Sequence, residues 1–231
     1  MVELLGQPFV VPDGVSFSES YEEIFVQEIY RFEPTRPRPR IVDCGANIGT
    51  SVLYFKRVYP DARITAVEAD PEIFRVLQQN LAPHRLSDVV LMNRALSDKA
   101  EPVTFHVEGA DAGRIHPLDQ ESDTIRVEGV VLDDLLDEAV DFLKVDVEGA
   151  ETDAICAARH LDRAASMFVE YHSFVDAPQS LPRLLSALTD VGFRYAIRTQ
   201  YCSRQPLLER EDHLGMDLQL NVFAFRPERL Q

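Results

Sequence analysis

Arg40-Ile41-Val42-Asp43-Cys44-Gly45-Ala46-Asn47-Ile48-Gly49-Thr50-Ser51 is the stretch that decides the fold. A β-branched pair runs into an acid, two glycines follow four residues apart, and a Thr-Ser pair closes the run. This order predicts a buried strand that turns sharply into a helix. In an open α/β sheet such a junction, at the carboxyl end of a strand, is where a nucleotide-like ligand is held. An ordinary α/β turn whose acid caps the helix is the competing reading.

Asp43 decides which ligand fits. A dinucleotide fingerprint reads G-x-G-x-x-G with an open approach for the pyrophosphate, whereas here only Gly45 and Gly49 are present and an acid stands two residues before the first. A carboxylate ~5 Å from a phosphate charge costs roughly 3 kcal/mol at an effective dielectric of about 20. A nucleotide-dependent oxidoreductase is disfavoured on that ground. S-adenosylmethionine carries a sulfonium and an ammonium instead, so the acid suits it. Gly45 then makes the tight turn and Gly49 lets the helix approach closely.

Working outward, Ile64–Val67 is expected as the next strand. It ends at Glu68, 25 residues beyond Asp43, where an acid can accept both hydroxyls of an adenosyl ribose. Asp70-Pro71 is an N-cap followed by a proline at the first helical position, and the helix runs to about Leu81. Strand Val89–Asn93 leads into Ala95-Leu96-Ser97-Asp98, where small and apolar groups would flank adenine and Ser97 or Asp98 would meet its polar edge. A plain turn capped by Asp98 explains that segment equally well. Helix Thr50–Tyr59, with Val52, Leu53, Phe55 and Val58 inward, completes a β-α-β-α-β pattern whose strands lack alternation, as in a parallel sheet covered on both faces.

Upstream, residues 1–39 read as an extension. They comprise an apolar opening, a turn at 12–14, an amphipathic helix over 18–31 placed as a lid, and an extended Pro/Arg link at 34–39. Residues 40–231 form the main domain. Downstream, Val103–Val107 and Ile125–Val131 alternate as a β-hairpin around a polar loop at 108–124 that would reach over the site. A short helix at Leu132–Glu138, strand Phe142–Val147, a helix from Gly149 to about Arg159, strand Met167–Tyr171, a helix from Ser180 to Gly192, and strands Arg194–Arg198 and Leu218–Phe225 follow.

The most unusual run is Phe142-Leu143-Lys144-Val145-Asp146-Val147-Glu148-Gly149-Ala150-Glu151. Strand alternation puts Lys144, Asp146 and Glu148 on one side, and ionisable groups in a central strand are costly unless paired. A Lys144 ion pair with Asp146, Asp43 or Glu170 is the bland reading. In the functional reading Asp146 faces the crevice where donor and acceptor meet, with Glu170 and His172 ending the neighbouring strand. His172 or Asp146 is the candidate base, Glu170 its orienter.

Composition bounds the rest. With 231 residues, 45% of them hydrophobic, one domain is the default. No apolar run approaches the ~20 residues of a membrane span and no signal peptide is evident, which places the chain in the cytoplasm. A formal charge of −16 without a basic cluster argues against nucleic acid. Cys44, Cys156 and Cys202 are too far apart for a metal motif and read as reduced, mostly structural thiols.

Together, Asp43-x-Gly45-Ala46-Asn47-x-Gly49, Val67-Glu68-x-Asp70-Pro71, Asn93-x-Ala95-Leu96-Ser97, Leu132-Asp133-Asp134, the Lys144–Glu151 block and Glu170-x-His172 resemble the FkbM-type methyltransferases. The resemblance spans about 40–225, and the Lys-x-Asp-x-Glu-Gly-x-Glu run is its most specific part. It implies a class I S-adenosylmethionine-dependent fold, a seven-stranded sheet in the order 3-2-1-4-5-7-6 with the seventh strand antiparallel. It also implies methylation of a hydroxyl on a natural product or sugar. Donor contacts are then expected from Asp43, Gly45, Ala46, Asn47, Gly49, Thr50, Glu68, Ala69, Ala95, Leu96, Ser97 and Asp146. Catalytic work is expected from Asp146, His172, Glu170, Lys144 and Glu148. A Mg²⁺ ion on Asp146 and Glu170, resembling catechol-type enzymes, is a less favoured variant. A non-catalytic adenosyl-binding module is the alternative of another class, and a homodimer is compatible with everything above.

Overall fold

The computed structural model describes residues 1–107, 123–209 and 211–226. A short hairpin, β1 (Val2–Leu4) and β2 (Gln7–Phe9), opens the chain and is followed by α1 (Gly14–Tyr21). Then come β3 (Arg40–Cys44), α2 (Thr50–Val58), β4 (Arg63–Glu68), α3 (Pro71–Leu81), β5 (Val89–Asn93) and β6 (Ala95–Leu96). A hairpin of β7 (Val103–Val107) and β8 (Asp123–Val127) precedes β9 (Gly129–Val130), α4 (Leu132–Leu135), β10 (Val140–Val145) and α5 (Glu151–Ala157). The chain ends with β11 (Ala164–Phe174), α6 (Leu181–Asp190), β12 (Arg194–Cys202) and β13 (Met216–Phe225).

The main sheet runs β12-β13-β11-β10-β3-β4-β5. Pairing is parallel from β11 to β5, and β13 is antiparallel to both of its neighbours. This is the 3-2-1-4-5-7-6 order expected from the resemblance. One face packs Val42, Leu143, Val145, Met167 and Val169 against α4, α5 and α6. The other packs Ile41, Ile64, Phe142 and Phe168 against α2, α3 and the N-terminal segment. Phe9, Ile24, Ile29 and Tyr30 belong to that second layer, so residues 1–39 share the core of the main domain. Among the described residues no helix is long and apolar enough to cross a membrane.

Several expected elements differ. The helix predicted over 18–31 starts earlier, at Gly14, because Asp13 caps it by accepting the Ser16 N–H at 2.7 Å. It widens into a π-turn at Glu22–Val26 and stops at Glu28, which has φ 53°. Ile29 and Tyr30 therefore reach the core from a turn, not from a helical face. The run expected as strand Ile125–Val131 divides, and β9 leaves the hairpin to pair with β6. Gly129 permits this, since a Cβ there would lie 2.4 Å from the Glu101 carbonyl oxygen. Residues 108–122, the bulk of the loop expected to reach over the site, lie outside the described residues. β10 ends at Val145, before Asp146, and β11 continues past His172 to Phe174. Of the cysteines only Cys44 is buried; Cys156 and Cys202 are exposed free thiols.

Asp141, at the start of β10, is fully buried and organises the entry to the sheet. Its carboxylate accepts the N–H and hydroxyl of Thr35 and the N–H of Arg40, and it pairs with Arg36 Nε at 2.9 Å. Removing one partner of a buried, fully bonded charge leaves several donors unpaired. Asp141→Ala is therefore expected to lower the unfolding free energy by about 3–5 kcal/mol, read from urea denaturation. A change within error of zero would refute this role.

Candidate active site

On the second face of the sheet the apolar row gives way to charge towards the strand ends. Ile41 is followed by Asp43 and Phe142 by Lys144 in the same register, while Phe168 is level with Lys144 and Glu170 follows it two residues on. Lys144 is 2% exposed. Its Nζ lies 3.1 Å from Asp146, 3.5 Å from Asp43, 2.7 Å from the Gly45 carbonyl oxygen and 3.4 Å from that of Cys44. Burial alone would lower its pKa, but the carboxylates of Asp146 and Asp43 carry it well above the usual lysine value. The ion pair expected with Asp146 and Asp43 thus forms, and the Tyr30 ring covers the ammonium at 5.8 Å.

Asp43 is buried completely, and its Oδ2 accepts the Ser51 hydroxyl at 2.6 Å. Burial raises its pKa against the pull of Lys144 and Ser51. Its carboxylate is enclosed beneath the turn, where Lys144 and Ser51 at the start of α2 hold it. The charge that does reach the crevice belongs to Asp146. Gly45, at φ +83°, allows the chain beyond β10 to come close: a Cβ there would lie 1.7 Å from the Asp146 carbonyl oxygen. Gly49, at φ +97°, packs against Leu77 and Leu81 of α3.

Glu68 ends β4 as expected. Its two oxygens accept the N–H groups of Asn47 and Asp70, each at 2.9 Å. Burial pushes its carboxyl up to about 7 in spite of those bonds. Ala69 and Ala95 share a small apolar cluster with Val127. The Leu96 side chain belongs to the main core, and the Ser97 hydroxyl donates to the Lys99 carbonyl.

A crevice lies in front of the turn. Gly45, Ala46, Asn47, Ile48, Thr50, Ser51, Lys144 and Asp146 line one side; residues between Pro12 and Tyr30 line the other.

Beside it, His172 is held in an acidic cage. Its Nδ1 lies 2.8 Å from Glu151, its Nε2 3.5 Å from Glu148 and 3.4 Å from the Gln219 amide nitrogen, which donates to Glu170 at 2.6 Å. Glu151, 1% exposed, also accepts the N–H groups of Val147 and Gly149. The chain folds round that carboxylate through two left-handed residues, Glu148 at φ 54° and Gly149 at φ 104°. Burial opposes a charge on His172, yet Glu148, Glu151 and Glu170 together carry its pKa well above the ordinary histidine value. That direction favours the protonated ring and weighs against His172 as the base. Glu170 is raised to about 8 by burial and by Asp146 and Glu148, against the pull of His172. Glu151, read from the sequence only as part of a helix start, is the residue on which this cage depends. Its signal was the Gly149-x-Glu151 spacing, which lets a carboxylate fold back on amides just before it.

The strand order and the crevice at the strand ends define a class I methyltransferase-type fold. A family model, the methyltransferase FkbM domain, matches residues 43–195, and the chain belongs to that family. It is 30% identical to Methyltransferase 1 of Beauveria bassiana over 77% of this chain and 81% of the relative. It is 27% identical to the 31-O-demethyl-FK506 methyltransferase FkbM of Streptomyces tacrolimicus over 75% and 80%. With 2-O-methyltransferase NoeI of Sinorhizobium fredii it shares 28% identity over 59% and 64%. The solved FkbM methyltransferase from Methylobacillus flagellatus superimposes with a TM-score of 0.56 at 20% identity, over 86% of this chain and 46% of that longer one.

The cage makes a spectroscopic prediction. In ¹⁵N NMR both ring nitrogens of His172 should carry protons at pH 7.5, and in Glu151→Gln the ring should titrate about 1–3 pH units lower. A neutral His172 in the unaltered protein would contradict this electrostatic account.

Proposed function

We propose that this chain transfers the methyl group of S-adenosylmethionine to a hydroxyl of a small molecule such as a natural product or sugar. The observation that carries the reading is the crevice in which the glycine turn faces Asp146. The turn is anchored to Glu68 through the Asn47 N–H. Glu68 is the ribose ligand: each of its oxygens has accepted one N–H and keeps a second lone pair for a hydroxyl. Ala69 and Ala95 would flank the adenine. The negative charge of Asp146 suits a sulfonium, and the relatives' named reactions on 2-O and 31-O positions point to oxygen as the acceptor atom. Membership of a methyltransferase family leaves the oxidoreductase reading without support.

Alignment of sulfur, methyl and oxygen would supply most of the acceleration, roughly 7–11 kcal/mol for well-oriented reactants. Asp146 is the proton acceptor in this reading. It is partly open to the crevice, with Lys144 protonated beside it at 3.1 Å. Glu148, Glu170 and His172 form the polar floor next to it. Asp146→Ala is expected to lower kcat by about 10²–10⁴-fold, followed as S-adenosylhomocysteine release with a panel of hydroxylated acceptors. Full turnover in that variant would remove Asp146 from the chemistry. No release with any acceptor would favour the non-catalytic adenosyl-binding module.

A metal-assisted variant has one observation in its favour. Ligand atoms of Asp146, Glu148 and His172 lie within 4.8 Å of one another, and Glu151 orients the imidazole from behind, as in carboxylate–histidine–metal arrangements. The set would offer three ligands to a divalent ion only with His172 deprotonated, and it differs from the Asp146–Glu170 pair expected from the sequence. Such an ion would acidify a bound hydroxyl. Lys144, already paired to Asp146, opposes a second cation there, so activity is expected to survive exhaustive chelation.

Glu68 gives the donor site a pH signature. Its carboxyl, raised to about 7, is neutral below that pH, and only the ionised form accepts both ribose hydroxyls. Affinity for S-adenosylhomocysteine should therefore be level above pH 7 and fall towards tenfold per pH unit below it. Calorimetry across pH 5.5–8.5 reads this directly. Glu68→Gln should bind more weakly and without that slope.

A further inference from the structure

Tyr30 stands among phenylalanines. Its ring centre lies 4.8 Å from that of Phe168, 5.9 Å from Phe55 and 6.4 Å from Phe142, and the residue is 4% exposed. A phenylalanine would make the same ring contacts, so packing does not account for the hydroxyl. Among the described residues nothing forms a hydrogen bond with it, although a buried tyrosine hydroxyl ordinarily finds a partner. Nor is its oxygen sealed in: Tyr30 lines the crevice whose facing wall carries Lys144 and Asp146.

The segment that presents this hydroxyl is fixed at both ends. Glu28, left-handed at φ 53°, closes the π-turn and directs Ile29 and Tyr30 into the protein. Such a backbone at a non-glycine residue is uncommon and persists where the surroundings over-determine it. Two residues beyond Tyr30, the Phe32 ring stacks on Phe142 at 4.9 Å, and the Tyr59 hydroxyl accepts the Phe32 N–H and donates to the Phe32 carbonyl. Burial raises the Tyr30 pKa well above the usual phenol value against the pull of Lys144, and Asp146, Glu170 and Asp43 raise it further. The group therefore keeps its proton and stands ready as a hydrogen-bond donor.

The sheet order says which ligand it would meet. In the function proposed above, the donor runs from Ala95 past Glu68, at the end of β4, to the glycine turn after β3. On the far side of that turn come β10 and then β11. The Tyr30 ring rests on those two strands, through Phe142 and Phe168, and its centre lies 5.8 Å from the Lys144 ammonium that pairs with Asp146. Phenol and carboxylate thus flank one cation on the acceptor's side of the crevice.

We propose that Tyr30 binds the acceptor. Its hydroxyl donates to an oxygen on the carbon next to the one whose hydroxyl loses its proton to Asp146, so the site selects vicinally oxygenated molecules such as 1,2-diols. The inference rests on the methyl-transfer reading above, and Tyr30 lies outside the 43–195 family match.

The test is Tyr30→Phe, which keeps the ring and removes only the hydroxyl. The probes are S-adenosylhomocysteine for the donor side, methyl glycosides and cis-1,2-cyclohexanediol as diols, and cyclohexanol as the matched mono-alcohol. The unaltered protein should methylate diols with a kcat/KM at least tenfold above that for cyclohexanol. In the variant kcat/KM for diols should fall about tenfold, chiefly through KM, and the preference over cyclohexanol should vanish. Calorimetric affinity for S-adenosylhomocysteine and the melting temperature should not fall. Unchanged turnover of diols, an equal loss for diols and cyclohexanol, or no preference for diols in the unaltered protein overturns the inference and leaves the methyl-transfer reading standing. Weakened S-adenosylhomocysteine binding in the variant also overturns it, by placing Tyr30 on the donor's side. If the unaltered protein binds no S-adenosylhomocysteine, or binds it and methylates no acceptor, the reading above falls and takes the inference with it.

Discussion

A buried ammonium is the constraint on which this site depends. Lys144 occupies the middle of the central strand, and a lone charge there would be prohibitively costly. It is kept by two carboxylates, Asp43 and Asp146, and by the carbonyls of Cys44 and Gly45. Those four groups come from the end of β3, the start of the glycine turn and the chain just past β10. Satisfying one cation therefore fixes three backbone segments against each other. The closeness it enforces makes Gly45 obligatory, because no side chain fits between the turn and the Asp146 carbonyl. The pairing also leaves one negative charge in excess. With Asp43 enclosed, that charge is expressed at Asp146, on the open side.

A second cation repeats the device one strand over. His172 is encircled by Glu148, Glu151 and Glu170, and Glu151 simultaneously ties the Val147–Gly149 turn. Lys144 and His172 thus brace the two ends of the loop that carries Asp146. The floor of the crevice is rigid for this reason: its hydrogen bonds and ion pairs are mutual, and a change in one member would unpair several others.

The parts legible in the sequence are those set by local chemistry. Asp70 followed by Pro71 is a cap wherever it occurs, and it caps α3 here by accepting from Glu72 and Ile73. The apolar runs of β3, β4, β5 and β10 declare a parallel sheet because nothing else buries such strands on both faces. Asp141 was silent because its partners, Thr35, Arg36 and Arg40, lie more than a hundred residues away in sequence. The surroundings of His172 were only partly legible for a related reason. A period of two places Glu170 beside it, whereas Glu151 arrives from another element and changes its chemistry. The π-turn at Glu22–Val26 escaped because a 3.6-residue period continues smoothly through that segment, and only the packing of Ile24, with Phe25 edge-on to Tyr54, selects the wider turn.

The same distinction separates donor from acceptor. The donor site proposed above, built from the turn after β3 and the acid after β4, lies within some thirty residues, and each part has a motif because a strand end must turn in a particular way to expose it. Around Asp146 residues from distant parts of the chain meet: Tyr30 lines the crevice from the N-terminal segment, Gln200 on β12 donates to Glu23, and Gln219 on β13 donates to Glu170. No backbone geometry requires those side chain types where they stand, so no pattern announces them. In the function proposed above, these are the side chains an acceptor would meet, while Lys144 and His172 hold the floor in place.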